Sequence, residues 1–401
     1  MIAIDRSEVQ GPASLAGRFY HVRATPFGAR DLEYRLLVPK EYRAVADIER
    51  EEPKGVGQFV RIGRFVGEGP GPGPGPSASA SATSDSIDIG LATLGCDVHL
   101  FDFFEWLRDQ HKLDVLGLDP VDLGGREAVD ALTSWRTKGG PARITRFLLF
   151  RAGRSIARVA CTATADRYDR QADDFAVVLS TFQFASGDTP LFCEPFAWFG
   201  PSGASIPLGF LAPVAWTVDE KLGGPRGTRV VDVEGPWPEP PVLADGSPRV
   251  RARAVVKAID LDVLERADPS DLLDATVAAL PDDGLARIAL RSRSRARLGA
   301  PFDADNAEAE LGAERDGARL DLRIAVRRTK HAAYVVTASI PPREDRFSWM
   351  AARRAVDVLL LSLLRPALSP DAGEPQERIA FPGLEEEDDD AGIDLEPPPP
   401  E

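Results

Sequence analysis

The sequence predicts an α+β protein of two tandem domains, each an antiparallel sheet with helices packed on it, followed by a disordered acidic tail. Two observations predict this architecture. A strand–turn–strand–helix segment over residues 143–184 recurs over residues 319–364, and a short proline-containing motif recurs at nearly the same spacing. Independent landmarks with one offset indicate an internal repeat of domain size.

The first copy of the segment changes its apolar period along its length. Residues 144–150 are rich in apolar side chains with β character, Gly153 lies in the following turn, and residues 156–164 predict the returning strand. From Tyr168 the apolar residues recur every three or four positions, which is typical of one helix face. That face consists of Tyr168, Ala172, Phe175, Leu179 and Phe182.

The second copy repeats this order of elements. Apolar and charged residues alternate over residues 319–327, Lys330 and His331 mark the turn, and residues 334–339 return as a strand. Trp349, Val356, Leu360 and Leu363 then mark a helix face. Thr337 follows Thr162 by 175 positions.

A proline motif ends an early strand in each copy. It reads Val38-Pro39-Lys40-Glu41-Tyr42 in the first and Ala212-Pro213-Val214-Ala215-Trp216 in the second, 174 positions later. The remaining strands are predicted at 19–22, 32–38, 58–66, 87–94, up to Trp135 after a Gly124–Gly125 turn, 205–216, 249–261 and 285–298. Helical spacing covers residues 100–107, a second helix starts with Asp268 as N-cap and Pro269 at its first position, and 302–314 is predicted as loop or short helix.

These elements predict the domain boundaries. The first domain covers residues 1–186 and contains a disordered Gly-Pro and Ser-Ala insert at 67–84, since such a composition cannot pack a core. The second covers residues 196–369, and residues 370–401 form the acidic tail.

The net charge of −15 is concentrated in that tail, which carries twelve acidic residues and one arginine. The rest of the chain is nearly balanced at −4, so nucleic acid is not an expected partner. The chain shows no apolar run long enough to span a bilayer and no signal-peptide pattern at its N-terminus, so a cytoplasmic location is expected.

No sequence motif indicates a catalytic, cofactor or metal site. The four histidines, His21, His99, His111 and His331, lack metal-ligand spacing, and the three cysteines, Cys96, Cys161 and Cys193, are expected as free buried thiols. Neither GxxxxGK[ST] nor GxGxxG is present. A non-catalytic protein is therefore expected, and a hydrolase with an unrecognised carboxylate site is the alternative.

Arginines alternate along predicted strands of the second domain. The sets are Arg249, Arg251 and Arg253; Arg287, Arg291, Arg293, Arg295 and Arg297; and Arg319, Arg323 and Arg327. Because period two places each set on one strand face, neighbouring strands would present a field of guanidinium groups that binds an anion or a partner. The candidate residues are Arg251, Arg253, Arg291, Arg293, Arg295, Arg323 and Arg327. A solvated face in which Asp and Glu offset these charges is the structural alternative.

The acidic tail supplies a ligand for such a face within the same chain. Glu385–Asp390 is a run of six acidic residues on a Pro-rich tether. Charge complementarity predicts that it contacts the arginine face at low salt.

The Pro-x-x-aromatic motif and the closing helix that ends in Leu179-Ser180-Thr181-Phe182 resemble the PsbP-like superfold, which includes DcrB-like proteins and the Ran-binding nuclear import factor. The second copy reads Leu361-Ser362-Leu363-Leu364 and lacks the final aromatic residue. The resemblance covers about residues 19–185 and 205–365. It implies binding of a protein client or assembly component without catalysis, and one cytoplasmic bacterial branch comprises the effector-associated chaperones of type VI secretion.

Overall fold

The computed structural model describes residues 2–8, 13–45, 57–67, 85–122, 127–136, 140–152, 154–185, 193–200, 206, 208–221, 227–239, 242–243, 246–262, 264, 268–298, 304–329 and 332–363. The tail at 370–401 with Glu385–Asp390, the insert beyond Gly67, the Gly124–Gly125 turn and the turn at Lys330 and His331 lie outside these residues. The predictions made for them stay predictions.

The first half of the chain forms a large and a small antiparallel sheet. Its elements are β1 (Ile2–Glu8), α1 (Ala13–Ala16), β2 (Phe19–Pro26), β3 (Tyr34–Pro39), β4 (Tyr42–Ala44), β5 (Val60–Gly67), β6 (Ser86–Thr93), α2 (Leu100–His111), β7 (Asp114–Asp122), β8 (Glu127–Arg136), β9 (Ala142–Ala152), β10 (Ser155–Thr164), α3 (Ala165–Thr181) and β11 (Gln183–Phe184). The large sheet has the order β4-β5-β6-β10-β9-β8-β7, and the small sheet has the order β1-β2-β3-β11.

The second half repeats the large sheet. Its elements are β12 (Phe196–Phe199), β13 (Phe210–Pro213), β14 (Thr217–Lys221), β15 (Thr228–Glu234), β16 (Arg253–Asp260), α4 (Pro269–Ala279), β17 (Ala286–Leu298), β18 (Ala304–Arg315), β19 (Ala318–Arg328), β20 (Ala332–Ile340) and α5 (Arg346–Ser362). The order β14-β15-β16-β20-β19-β18-β17 matches that of the first half strand for strand, with a helix after the third and the seventh strand. The predicted α+β fold built on two antiparallel sheets is confirmed.

The proline motif carries the chain from a small sheet into a large one. Pro39 ends β3 and Tyr42 begins β4, while Pro213 ends β13 and Trp216 lies directly before β14. Because proline cannot donate to a ladder, it suits the point at which a strand leaves its sheet.

A glycine accommodates the aromatic residue of each motif. Gly67 pairs with Tyr42 across β4 and β5, and a Cβ on Gly67 would lie 3.3 Å from the Tyr42 ring. A Cβ on Gly235 would lie 3.2 Å from the Trp216 ring. In both halves, therefore, the aromatic ring packs against a glycine that has no side chain.

The two helices of each half lie on opposite faces of its large sheet. Phe175 of α3 packs in the cluster that contains Val159, whereas Phe103 of α2 packs with Leu149 on the other face. In the second half, α4 lies over Ile324 and its neighbours. Its N-cap is Asp268 as predicted, since the Asp268 side chain accepts a hydrogen bond from the Ser270 amide at 2.8 Å.

One core joins the halves. The α2 face of the first half and the α5 face of the second belong to a single buried cluster, in which Phe103 and Met350 are fully buried. The rings of Trp106 in α2 and Phe347 in α5 meet edge to face at 6.2 Å. The α2 face of the first sheet is therefore partly a contact between halves.

The sequence prediction was wrong for the 302–314 region. This segment contains most of strand β18, and its inward residues Ala307, Ala309, Leu311 and Ala313 follow period two beneath α4. Alanine has a weak β propensity, so the alternation was hidden. Strand β7 was not predicted, and β16 begins only at Arg253, four residues after the expected start.

Candidate functional site

Two of the candidate arginines point toward α5. Arg323 of β19 forms an ion pair with Asp357 of α5, and Arg327 Nη1 donates to the Leu360 carbonyl oxygen. Arg327 also lies 3.6 Å from Glu308. Both guanidiniums are thus enclosed between the sheet and the helix.

Arg291 of β17 belongs to the same side. Its Nη1 lies 2.7 Å from Oδ2 of Asp321, a buried carboxylate that also accepts a hydrogen bond from Trp349 Nε1 of α5 at 3.1 Å.

Arg293 and Arg295 point the other way, toward α4. Arg293 pairs with Asp274 at 2.7 Å, and Arg295 pairs with the N-cap carboxylate of Asp268 at 2.7 Å. The register of β17 against β18 shifts between Leu290 and Ser292, and such a bulge moves the residues beyond it to the opposite face.

Arg253 and Arg251 lie at the start of β16. Arg253 contacts Asp232 at 3.0 Å, and Arg251 contacts Glu234 at 2.6 Å while its guanidinium stacks 5.1 Å from the Trp237 ring. Arg251 precedes the strand, yet it shares Glu234 with Arg253, whose Nε lies 3.5 Å from that carboxylate, so these two arginines do lie on one side as expected.

The predicted single guanidinium face is therefore wrong. Strict alternation was assumed through a bulge in β17, which turns Arg291 toward α5 and Arg293 and Arg295 toward α4. All seven arginines carry a carboxylate partner, as the solvated-face alternative expected. Whether any of them binds a partner stays a prediction.

Exposure differs among the seven arginines. The side chains of Arg323 and Arg327 are 18% and 6% exposed, and their pairs are structural. Arg293 and Arg295 are 42% and 61% exposed. Exposed pairs contribute only about 0–1 kcal/mol, so these two guanidiniums can exchange partners at little cost.

Buried charged residues of the two halves also contact one another. We call this cluster the joint; it consists of Asp97, His99, Arg151, Arg354 and Asp357. Arg151 Nε of β9 donates to Asp97 Oδ1 at 3.1 Å, and Arg354 Nε of α5 donates to Asp97 Oδ2 at 2.7 Å. Asp97 and Arg354 are fully buried. Burial would raise the pKa of Asp97, but the two guanidiniums hold it below its ordinary value.

A second contact of the joint pairs His99 Nε2 with Asp357 Oδ2 at 2.7 Å. Burial opposes the charged form of Asp357, yet Arg323 and His99 lower its pKa well below the usual range. Sequence reasoning missed the joint because its partners lie 257 and 258 positions apart with no local pattern to link them.

Glu194 borders the joint and titrates in the opposite direction. Its carboxylate accepts a hydrogen bond from the Asp97 amide at 3.0 Å. Burial raises the pKa of Glu194 to about 7, the hydrogen bond from the Asp97 amide offsets part of that rise, and the nearby Asp97 carboxylate adds to it.

The exposed arginines lie on an edge strand. β17 pairs with β18 on one side and ends the sheet on the other, and it is 13 residues long. From Ala286 to Arg295 every residue is exposed except the half-buried Ile288, and the Leu290 side chain is 60% exposed. A long edge strand offers unpaired backbone donors and acceptors to an added strand. We call this strand, with Arg293 and Arg295, the β17 edge.

The described part of the chain contains no metal-binding cluster, and its cysteines form no disulfide. No group of three or more His, Cys, Asp or Glu side chains there is placed to hold a metal ion. Cys96, Cys161 and Cys193 are free thiols, with Cys96 half-buried and the other two buried. Within the same residues, no helix is long and apolar enough to cross a membrane.

Comparison with known proteins identifies no family. No protein-family model matches the chain, and no curated protein matches it. Solved structures do match parts of it, at low similarity.

LpqN of Mycobacterium tuberculosis, described as involved in cell envelope biogenesis, aligns with 45% of this chain and 90% of its own at 16% identity and a TM-score of 0.27. Cyanobacterial PsbP (CyanoP) of Synechocystis aligns with 45% of this chain and 92% of its own at 10% identity and a TM-score of 0.27. The type VI secretion immunity protein TplEi of Pseudomonas aeruginosa aligns with 74% of this chain and 93% of its own at 14% identity and a TM-score of 0.22. At these TM-scores none of the three alignments identifies a family or a function for this chain.

Proposed function

We propose that this chain is a non-catalytic adaptor that binds a protein partner through the β17 edge. The observation that supports this most is the exposure of the edge strand from Ala286 to Arg295, where every residue except Ile288 is exposed. An extended partner segment would add to the sheet as a further strand, with main-chain hydrogen bonds supplying affinity.

The side chains of the β17 edge favour an acidic partner. Arg293 and Arg295 lie two residues apart, so they face the same side of the strand. Carboxylates at positions i and i+2 of an added strand would face them, and Leu290 would contact an apolar side chain. Asp274 and Asp268 hold these arginines in exposed pairs, which a partner can replace.

The two carboxylates of the joint, Asp97 and Asp357, are placed for a structural role. Asp97 contacts two guanidiniums, and Asp357 contacts Arg323 and His99. A carboxylate whose pKa is lowered in this way stays ionised at neutral pH and is a poor general acid.

We propose two ligands for the β17 edge. The acidic run Glu385–Asp390 is the ligand within the chain, and the external ligand is a cytoplasmic client protein, such as a secretion-system effector or assembly component. Tandem PsbP-like units of common ancestry would account for the repeated strand order. Co-purification from the native host tests the client, which should be recovered in stoichiometric amount.

The test of this function uses a fluorescent peptide with the sequence of residues 384–391 and the chain truncated after residue 369, so that the tail cannot compete. We expect binding by fluorescence anisotropy that weakens as salt is raised, because the contacts are exposed. The double variant R293E/R295E should reduce affinity at least about tenfold, since two charge-assisted contacts become repulsive.

A matched control reverses two exposed arginines of the first half, R154E/R170E, which changes the net charge equally. This control should bind as the parent does. Equal affinity for the parent and R293E/R295E would reject the β17 edge as the site. Turnover of small esters or phosphates by the purified chain would favour the hydrolase alternative instead.

A further inference from the structure

A cavity of about 390 Å³ lies on the α2 face of the first sheet, beyond the C-terminal end of α2. Its walls combine aromatic and polar side chains, including Phe59, Phe147, Trp135, Thr162 and Arg158. This volume lies within the range of sites for small organic ligands.

Arg158 is the residue of the cavity that most indicates a ligand. Its guanidinium lies 4.4 Å from the centre of the Phe59 ring. Within the described residues, no hydrogen bond or ion pair to Arg158 is found, and its Nε is buried without an acceptor. Burial lowers the pKa of Arg158 despite the opposing charge of Asp88. Arg158 as a whole is half-buried, and a cation partly withdrawn from water is costly unless an anion pairs with it.

The charges around Arg158 do not balance. Asp88 is the nearby carboxylate, and it lies 3.1 Å from Arg61 and 3.6 Å from Arg64. Two guanidiniums therefore already pair with the one carboxylate near Arg158. Partial burial and the charge of Arg158 lower the pKa of His111 at the cavity wall, so this histidine is mainly neutral at pH 7.

The threonines on the cavity wall retain a hydrogen-bond donor. Trp135 Nε1 donates to Thr145 Oγ1 at 3.0 Å, and the hydroxyls of Thr145 and Thr162 lie 2.9 Å apart. That pair has two hydroxyl hydrogens and uses one between them. In the described part of the chain, the second hydrogen has no acceptor and is available to a ligand.

The equivalent face of the second half has no such chemistry. Its hairpin pairs Thr337 with Ile324, whereas the first half pairs Thr162 with Thr145. Ile324 is fully buried in the cluster that Leu273 and Leu280 of α4 complete. The polar cavity is thus not a requirement of the fold.

We propose that this cavity binds a small organic carboxylate with a flat apolar body. The carboxylate would pair with Arg158 and accept from the threonine pair, and the body would pack against Phe147 and Trp135. Arginine's planar fork matches a carboxylate in two hydrogen bonds, which suits one unpaired guanidinium at the wall of a partly aromatic cavity.

The test measures calorimetric binding of 2-naphthoate and of its neutral analogue 2-naphthalenemethanol to the full chain. Naphthoate should bind about 10- to 100-fold more tightly than the alcohol, as expected for hydrogen bonds to a charged group. R158M keeps an unbranched side chain of similar length in the cavity and should remove that preference. T162V should weaken naphthoate binding about fivefold without changing the affinity for the alcohol.

The control is R154M, which removes an exposed arginine four residues earlier in the same strand region. It should keep the full preference for naphthoate. Equal affinities for acid and alcohol, or an unchanged preference in R158M, would overturn the proposal. If R158M fails to fold, T162V decides the matter alone. The β17 edge lies in the other half, so loss of peptide binding there leaves this result unaffected.

Discussion

The joint and the β17 edge use the same residue type in opposite ways. Arg354 at the joint is fully buried, and its Nε donates to Asp97 across the two halves. Arg295 on the β17 edge is 61% exposed and pairs with Asp268 of the neighbouring helix. Burial removes the water that could replace a lost partner, so the first arginine is fixed and the second is exchangeable.

The edge strands of the two large sheets also differ in composition. β7 and β17 occupy the same position in their sheets. β7 contains Pro120 and three aspartates, and β17 contains five arginines and no proline. Proline blocks the addition of a strand, so the fold leaves β17 as the more accessible of the two edges.

The largest expected effect is the loss of the central carboxylate of the joint. D97A leaves Arg151 and Arg354 as buried charges without this partner, which costs about 3–5 kcal/mol of the free energy of unfolding. Urea unfolding followed by circular dichroism measures this loss.

The control for that prediction removes a carboxylate from an exposed pair. D274A, beside Arg293, should change the free energy of unfolding by less than about 0.5 kcal/mol. Similar losses in D97A and D274A would show that burial does not separate the two kinds of arginine.

A smaller effect depends on pH. The pKa of Glu194 is raised to about 7 in the folded chain, so the folded state holds this proton more tightly than the unfolded state does. The resulting stabilisation is complete below the unfolded pKa, near 4.5, and is lost as pH rises through 7. E194Q cannot ionise, so between pH 5 and 8 it should gain about 1–2 kcal/mol relative to the parent, allowing for partial solvent access.

Urea unfolding of both proteins at several pH values checks this prediction, with E220Q as the control. Arg229 lowers the pKa of Glu220, mainly through a hydrogen bond, so the stability that Glu220 contributes is lost as pH falls. E220Q should therefore show no gain as pH rises. A gain that is the same for both variants, or absent in E194Q, contradicts the assignment.

The sequence was sufficient to predict the repeated architecture because its signals are local. The proline motif and the period-two strands of residues 320–326 determine where strands end and which face is apolar. Alternation also placed Arg293 and Arg295 correctly on one face, because both lie beyond the bulge of β17.

The remaining features depend on contacts that no local pattern encodes. The bulge between Leu290 and Ser292 divides the arginines of β17 between two faces, and period two cannot reveal it. The pairing of Asp97 with Arg354 crosses 257 positions. The cavity at Arg158 could not be predicted from the sequence, because Arg158 lies in β10 whereas Phe59 lies directly before β5.

Amide hydrogen exchange tests the central claim most directly, because strand addition protects the backbone and simple charge attraction does not. The chain truncated after residue 369 would be compared with and without the peptide of residues 384–391. We predict slower exchange at alternate amides of β17 and no change in β7. Protection of β7, or peptide binding that leaves the β17 amides unprotected, would contradict the account.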